Sequence, residues 1–139
     1  MVLKVVIGLL VIVPLIRGET DYIQPPQEEV PRLLEISINC VSETGVDADT
    51  LYKLITWKFK KTPNTSKFLY CFLTKAGFAD SEGHFIKDAV VPLVGNHKRK
   101  DEFAKVIEEC NKTHGKDKFD RMYRVTVCTH DKSPILFTV

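Results

Sequence analysis

Apolar side chains recur at helical spacing along most of the chain. In "DEFAKVIEECNKTHG", Phe103, Val106, Ile107 and Cys110 fall at i, i+3, i+4 and i+7, with charges on the opposite side and Gly115 as a stop. "VDADTLYKLITWKF" places Leu51, Leu54 and Ile55 on one face behind Asp47 as N-cap. "EEVPRLLEISINCVSETG" aligns Val30, Leu33, Leu34 and Val41, with Pro31 tolerated in the first turn. "KFLYCFLTKAG" buries Phe68, Cys71 and Phe72 and stops at Gly77, while "GHFIKDAVVPLVG" is apolar over a wide arc that Pro92 should kink or shorten. "KDKFDRMYRVTVC" groups Phe119, Met122 and Tyr123, with Val127 one turn on, but also carries the β-branched run Val125, Thr126 and Val127, which lowers helix propensity. The pattern predicts an all-α protein, a compact bundle of about six helices without a convincing strand. The connections carry Gly, Asp, Asn or Pro, and there is no internal repeat or low-complexity tract.

The first residues follow a different rule. "MVLKVVIGLLVIVPLIRGET" has Lys4, an apolar run from Val5 to Ile16 and a small residue at Gly18. That is the layout of a secretory signal peptide, and its apolar run is too short for a membrane span, which needs about 20 residues. Cleavage after Gly18 is expected to leave one domain of residues 19–139, secreted and extracellular. Loss of Lys4 and Arg17 leaves 18 basic against 18 acidic residues, so the mature chain has no charge surplus for nucleic acid. "HKRK" at 97–100 is followed at once by Asp101 and Glu102, and reads as a solvated helix start.

Secretion also changes the reading of Cys40, Cys71, Cys110 and Cys128. An even count on an oxidising route implies two disulfides, and three pairings are possible. No CxxC or HxxH spacing suggests a metal site, and no cofactor motif is present: there is no Gly-rich phosphate loop, GxSxG elbow or HExxH helix. Cys110 and His114 stand one helical turn apart, but an oxidised cysteine is no nucleophile. Glu28–Glu29 and Glu108–Glu109 are neighbours along helices and point in different directions. The expectation is a protein without enzymatic activity and without metal or cofactor.

The cysteines lie on or at the ends of helices, with 30 residues between Cys40 and Cys71, 38 between Cys71 and Cys110, and 17 between Cys110 and Cys128. In this spacing, together with "CFLTKAGFADSEGHF", the chain resembles the insect odorant-binding proteins of the pheromone-binding and general odorant-binding family, in their four-cysteine, or C-minus, form. The resemblance covers nearly the whole mature chain. Members usually carry six cysteines on six helices, joined first to third, second to fifth and fourth to sixth. Counting back from Cys71 and Cys128 by the family's spacings places the absent second and fifth cysteines at Lys67 and Phe119, which would be partners of each other. The resemblance thus implies Cys40–Cys71 and Cys110–Cys128 bonds, and a snorkelling Lys67 stem across the Phe119 ring.

It also implies a carrier of small hydrophobic molecules such as odorants, pheromones or similar semiochemicals, held in an internal hydrophobic cavity. A membrane receptor or a second copy of the chain would be its further partners. Candidate wall residues are Leu54, Trp57, Phe72, Leu73, Phe85, Val90, Val94, Phe103, Val106, Met122, Tyr123 and Val127, with Leu136 and Phe137 from an apolar tail, "PILFTV", that folds back as a wall. For each residue plain core packing is the competing account, and for Trp57 it is a half-exposed ring that touches no cavity. Two other functions remain open: an interaction module of the same fold that binds a protein, and a membrane-active helical protein. An exposed apolar patch over a filled core would mark the first, and liposome leakage the second. Asn64 and Asn111 head glycosylation sequons, although Asn64 reads equally as a helix N-cap and Asn111 as a polar residue behind a helix face. His84 and His130 stand beside Phe85 and just before the tail, where a gain of charge would loosen packing on acidification.

Overall fold

The fold is seen in a computed structural model that describes residues 19–138. The signal segment expected over residues 1–18 and the last residue of the tail, Val139, lie outside the described residues. Among the described residues six α-helices follow one another: α1 (Val30–Thr44), α2 (Ala48–Ile55), α3 (Pro63–Lys75), α4 (Lys87–Val90), α5 (Lys100–Cys110) and α6 (Lys118–Lys132). None of the described helices is long and apolar enough to cross a membrane.

Local chemistry sets the helix ends. Asp47 caps α2 by accepting from the Thr50 N–H at 2.7 Å, and Asp117 caps α6 through the Asp120 N–H at 2.8 Å. At α3 the cap is Thr62, whose Oγ1 accepts from the Thr65 N–H at 3.1 Å, and not Asn64, because Pro63 has no N–H and fits the first helical position. Pro92 has the shortening effect expected of it: α4 lasts one turn and continues as a 3-10 turn, Val91–Val94. Leu34 was expected inward on α1, yet it is 60% exposed. The inward side of that helix is set by Leu33, Ile36, Ser37, Cys40 and Val41, so Leu33 and Val41 lie on it as expected and Leu34 does not.

Two strands were not expected. β1 (Asp21–Ile23) and β2 (Ile135–Phe137) pair in parallel, Tyr22 opposite Leu136, and so tie the start of the described chain to its end. Each is three residues long, too short for an alternating pattern to be read.

The helices pack chiefly as α3 on α6 and α1 on α3. Cys40–Cys71 staples α1 to α3 with Cα atoms 5.8 Å apart, and Cys110–Cys128 staples α5 to α6 at 5.6 Å. These are the two pairings the resemblance implied. Instead of one continuous core there are separate apolar clusters. One joins Val90, Val94, Phe103, Ile107 and Ile135, a second joins Cys40, Val46, Phe68 and Cys71, and a third joins Ala79, Met122 and Val125. Between them the interior is not filled.

Candidate functional site

The space between the clusters is a cavity of about 300 Å³. Each helix contributes the side chains that its period turns inward. α1 supplies Leu33 and Ser37, α2 supplies Leu51, Leu54 and Ile55, and α3 supplies Phe68, Leu69, Phe72 and Leu73. Val90 and Leu93 come from α4 and its 3-10 extension, Phe103 and Ile107 from α5, and Thr126, Thr129 and His130 from α6. The connecting segments add Trp57, Phe59, Phe78 and Phe85, and the N- and C-terminal segments add Pro25 and residues 135–138. Leu51, Leu54, Phe72, Leu73 and Phe85 point inward yet are only half-buried, as apolar side chains facing a hollow must be. Ile55, 44% exposed, is the wall residue most open to solvent. Asp, Glu, Lys and Arg are absent from the wall among the described residues.

Of the fourteen candidates, the cavity brings together Leu54, Trp57, Phe72, Leu73, Phe85, Val90, Phe103, Leu136 and Phe137. Five lie elsewhere. Val94 is packed into the cluster under α5, and Met122, fully buried, packs on Ala79 and Val125. Tyr123 meets the Phe59 ring edge-on at 5.8 Å and lies beneath the Lys61 ammonium at 5.6 Å. Val106 and Val127 sit one residue, about 100° of helix, away from the wall residues Ile107 and Thr126.

Trp57 departs most from a local reading. α2 ends at Ile55, and the chain turns back through a Lys58 N–H to Lys53 carbonyl bond of 2.8 Å. That turn places Trp57 at φ 61°, a left-handed position that a large side chain occupies only at a cost of about 1–2 kcal/mol. The indole repays the strain in contacts. Its Nε1–H donates to the Phe137 carbonyl at 3.3 Å, its ring stacks on His130 with centroids 4.7 Å apart, and one side lines the cavity.

Sequence reasoning missed Asn111 as a positioning residue. Its Oδ1 accepts from the Phe85 N–H at 2.9 Å and its Nδ2 donates to the Phe85 carbonyl at 2.9 Å, so both halves of the amide clamp the backbone of a wall residue. The contact reaches back 26 residues, so no local pattern announces it. Asn64, by contrast, is exposed on the first turn of α3. Of the two histidines singled out, His130 is in the wall, whereas His84 faces Asp80 with Nδ1 3.6 Å from its carboxylate.

Lys67 and Phe119 do meet. The Lys67 ammonium lies 6.0 Å from the centre of the Phe119 ring, and Lys118 stands over both Phe119, at 5.2 Å, and Tyr70, at 4.9 Å. Cations and aromatic rings therefore occupy the place where the resemblance puts a disulfide. The Cys110–His114 pair offers no nucleophile, because Cys110 is bonded to Cys128.

Comparison with known proteins agrees with this architecture. The model of the PBP/GOBP family matches residues 25–132. No curated protein matches the chain by sequence. Among solved structures it is similar to the fatty acid binding protein OBP56a from the oral disk of the blowfly Phormia regina, at 20% identity and TM-score 0.67 over 79% of this chain and 96% of that one. It is also similar to the Locusta migratoria odorant binding protein lmigOBP1, at 18% identity and TM-score 0.65 over 81% of this chain and 87% of that one. A third is odorant binding protein 7 of Anopheles gambiae, solved in complex with an azo compound, at 17% identity and TM-score 0.62 over 75% and 85%. At these identities the structures speak to the fold alone, whereas the family model spans most of the chain. The chain belongs to the PBP/GOBP family, whose members are carriers of small molecules and not enzymes.

Proposed function

We propose that the protein is a secreted carrier, released from a signal peptide of residues 1–18 as a single domain of residues 19–139, that holds one small apolar molecule in the cavity between its helices. The observation that carries this reading is the cavity of about 300 Å³ with an almost wholly apolar wall, in a domain whose apolar residues fall into separate clusters around it. A module built to bind a protein would gain more by filling that space, since each unfilled methylene costs roughly 1 kcal/mol of packing. Burial of about 250 Å² of ligand surface at about 25 cal/mol per Å² stabilises a complex by roughly 6 kcal/mol before association costs, which supports micromolar binding. An odorant, a pheromone or a similar semiochemical has the size and polarity this requires. Membrane receptors or a second copy of the chain would receive the loaded protein.

The test is displacement of a fluorescent aryl-naphthylamine from the disulfide-bonded protein by medium-chain apolar molecules, with mass spectrometry of whatever co-purifies from the native source. Saturable uptake with one probe per chain is expected. A probe that binds only to the exposed surface, without saturation and without competition, overturns the carrier reading.

A further inference from the structure

The polar groups of the cavity wall are unequal in what they offer a ligand. Thr126, Thr129 and His130 share one face of α6, at i, i+3 and i+4, and Ser37 is the hydroxyl contributed by α1. Each hydroxyl already donates its proton to its own helix: Thr126 to the Met122 carbonyl at 2.7 Å, Thr129 to the Val125 carbonyl at 2.9 Å, and Ser37 to the Leu33 carbonyl at 2.9 Å. A hydroxyl has one proton and two lone pairs, so these oxygens remain free only to accept. The Trp57 Nε1–H, a donor in the same wall, is directed at the Phe137 carbonyl. His130 Nδ1 is 3.1 Å from Asp131 Oδ1, and an uncharged ring that donates there presents Nε2 as a further acceptor. Thr138 belongs to the chain end beyond β2 and not to this face.

We propose, resting on the carrier reading, that Thr126 and Thr129 form a subsite that reads a donated proton, so that the cavity selects uncharged apolar alcohols over ethers, esters and carboxylates of the same length. An alcohol O–H bonds to a threonine oxygen while every existing hydrogen bond stays in place. At this pair an ether or ester oxygen finds a proton only if a threonine turns away from its carbonyl, so that one bond is lost for each gained. A carboxylate brings a charge into a wall that holds no Lys or Arg among the described residues, and the two threonine oxygens of the subsite have no proton to give it. The difference between alcohol and ether is one net hydrogen bond, about five-fold in affinity.

The experiment compares decanol, its methyl ether and decanoate, held ionised at about pH 8, as competitors of the aryl-naphthylamine probe. It uses wild type, the double variant Thr126→Val with Thr129→Val, and the double variant Thr126→Ser with Thr129→Ser. The informative quantity is the alcohol-to-ether affinity ratio, which cancels differences in how the two leave water. It should fall about five-fold in the valine variant and be retained in the serine variant, with decanoate the weakest competitor of wild type. A ratio that valine leaves unchanged, or decanoate that outcompetes decanol, overturns the subsite while the carrier reading stands. If no competitor displaces the probe from wild type, the carrier reading fails, and the subsite with it.

Discussion

Asp120 is a buried carboxylate in the first turn of α6, and it is held from three sides. Lys61 Nζ reaches Oδ1 at 2.5 Å, while Oδ2 accepts from the Lys116 N–H at 2.9 Å and from Arg124 Nε at 3.0 Å. The Lys61 hydrogen bond first, and then the Lys116 N–H, hold its pKa far below the usual carboxylate range. A depressed folded-state pKa contributes stability that is present above the unfolded value, about 3.9, and is lost as pH falls below it. Asp120→Asn should therefore lower stability at pH 7 by roughly 1–2 kcal/mol, discounted for the half-exposed Lys61 and Arg124 partners, and the gap from wild type should shrink by about 1 kcal/mol at pH 3. Urea unfolding at the two pH values measures it, and a gap of equal size at both would show that the carboxylate charge is not what Asp120 contributes. The Lys61 contact was not legible in the sequence, because Lys61 precedes α3 and meets α6 only through the packing of those helices. Asn111 and Trp57 were hidden for the same reason: a clamp on Phe85 and a left-handed turn against Phe137 join residues far apart in the chain. Disulfide pairing was open on the residues alone, and only the family resemblance closed it.

Helices were read correctly as elements, since their apolar positions repeat every three or four residues whatever they face. The period does not say what lies opposite, and so Met122 and Val94 share the pattern of wall residues although they pack on other side chains. Loops carry still less signal, and the segment between α3 and α4 shows the consequence. Asp80 Oδ1 accepts from the N–H groups of both Glu82 and His84 at 3.0 Å, folding a turn that seats Gly83 on the first turn of α6. Gly83 has φ 92°, and a Cβ there would lie 2.6 Å from the Lys118 carbonyl oxygen and 3.1 Å from the Met122 nitrogen. Gly45, behind α1, also has a positive φ, 72°, but with open space around it. Gly45→Ala should then cost about 1 kcal/mol for its backbone conformation alone, and Gly83→Ala at least about 3 kcal/mol, because helix backbone cannot give way as a side chain tip does. Denaturant midpoints of the two variants decide the matter; equal losses would mean that the turn lifts off α6 freely, and Phe85 with it.

Across the whole molecule the two disulfides leave one seam unlocked. Cys40–Cys71 fixes α3 to α1, and Cys110–Cys128 fixes α6 to α5, but among the described residues no disulfide joins the two halves. They meet where α3 packs on α6, and there Lys67, Tyr70, Lys118 and Phe119 hold the contact through cation–ring and ring–ring interactions, with the Tyr70 and Phe119 centroids 5.0 Å apart. Such contacts contribute about 0.5–1 kcal/mol each at an exposed site, whereas a disulfide typically contributes 2–4 kcal/mol. Because α3 and α6 both supply cavity wall, freedom at the seam would become freedom in cavity shape, and a broader choice of ligand is the expected consequence. Replacement of Lys67 and Phe119 by cysteine tests this directly. The double variant should oxidise spontaneously to a third disulfide and gain roughly 2 kcal/mol, which for a domain of this size raises Tm by about 8 °C. It should also accept fewer competitors of the aryl-naphthylamine probe, with the loss greatest among the bulkiest. Two thiols that stay reduced under oxidising conditions would place the seam elsewhere, and a third bond that leaves the range of competitors unchanged would show that the cavity takes its shape from α1, α2 and α5 alone.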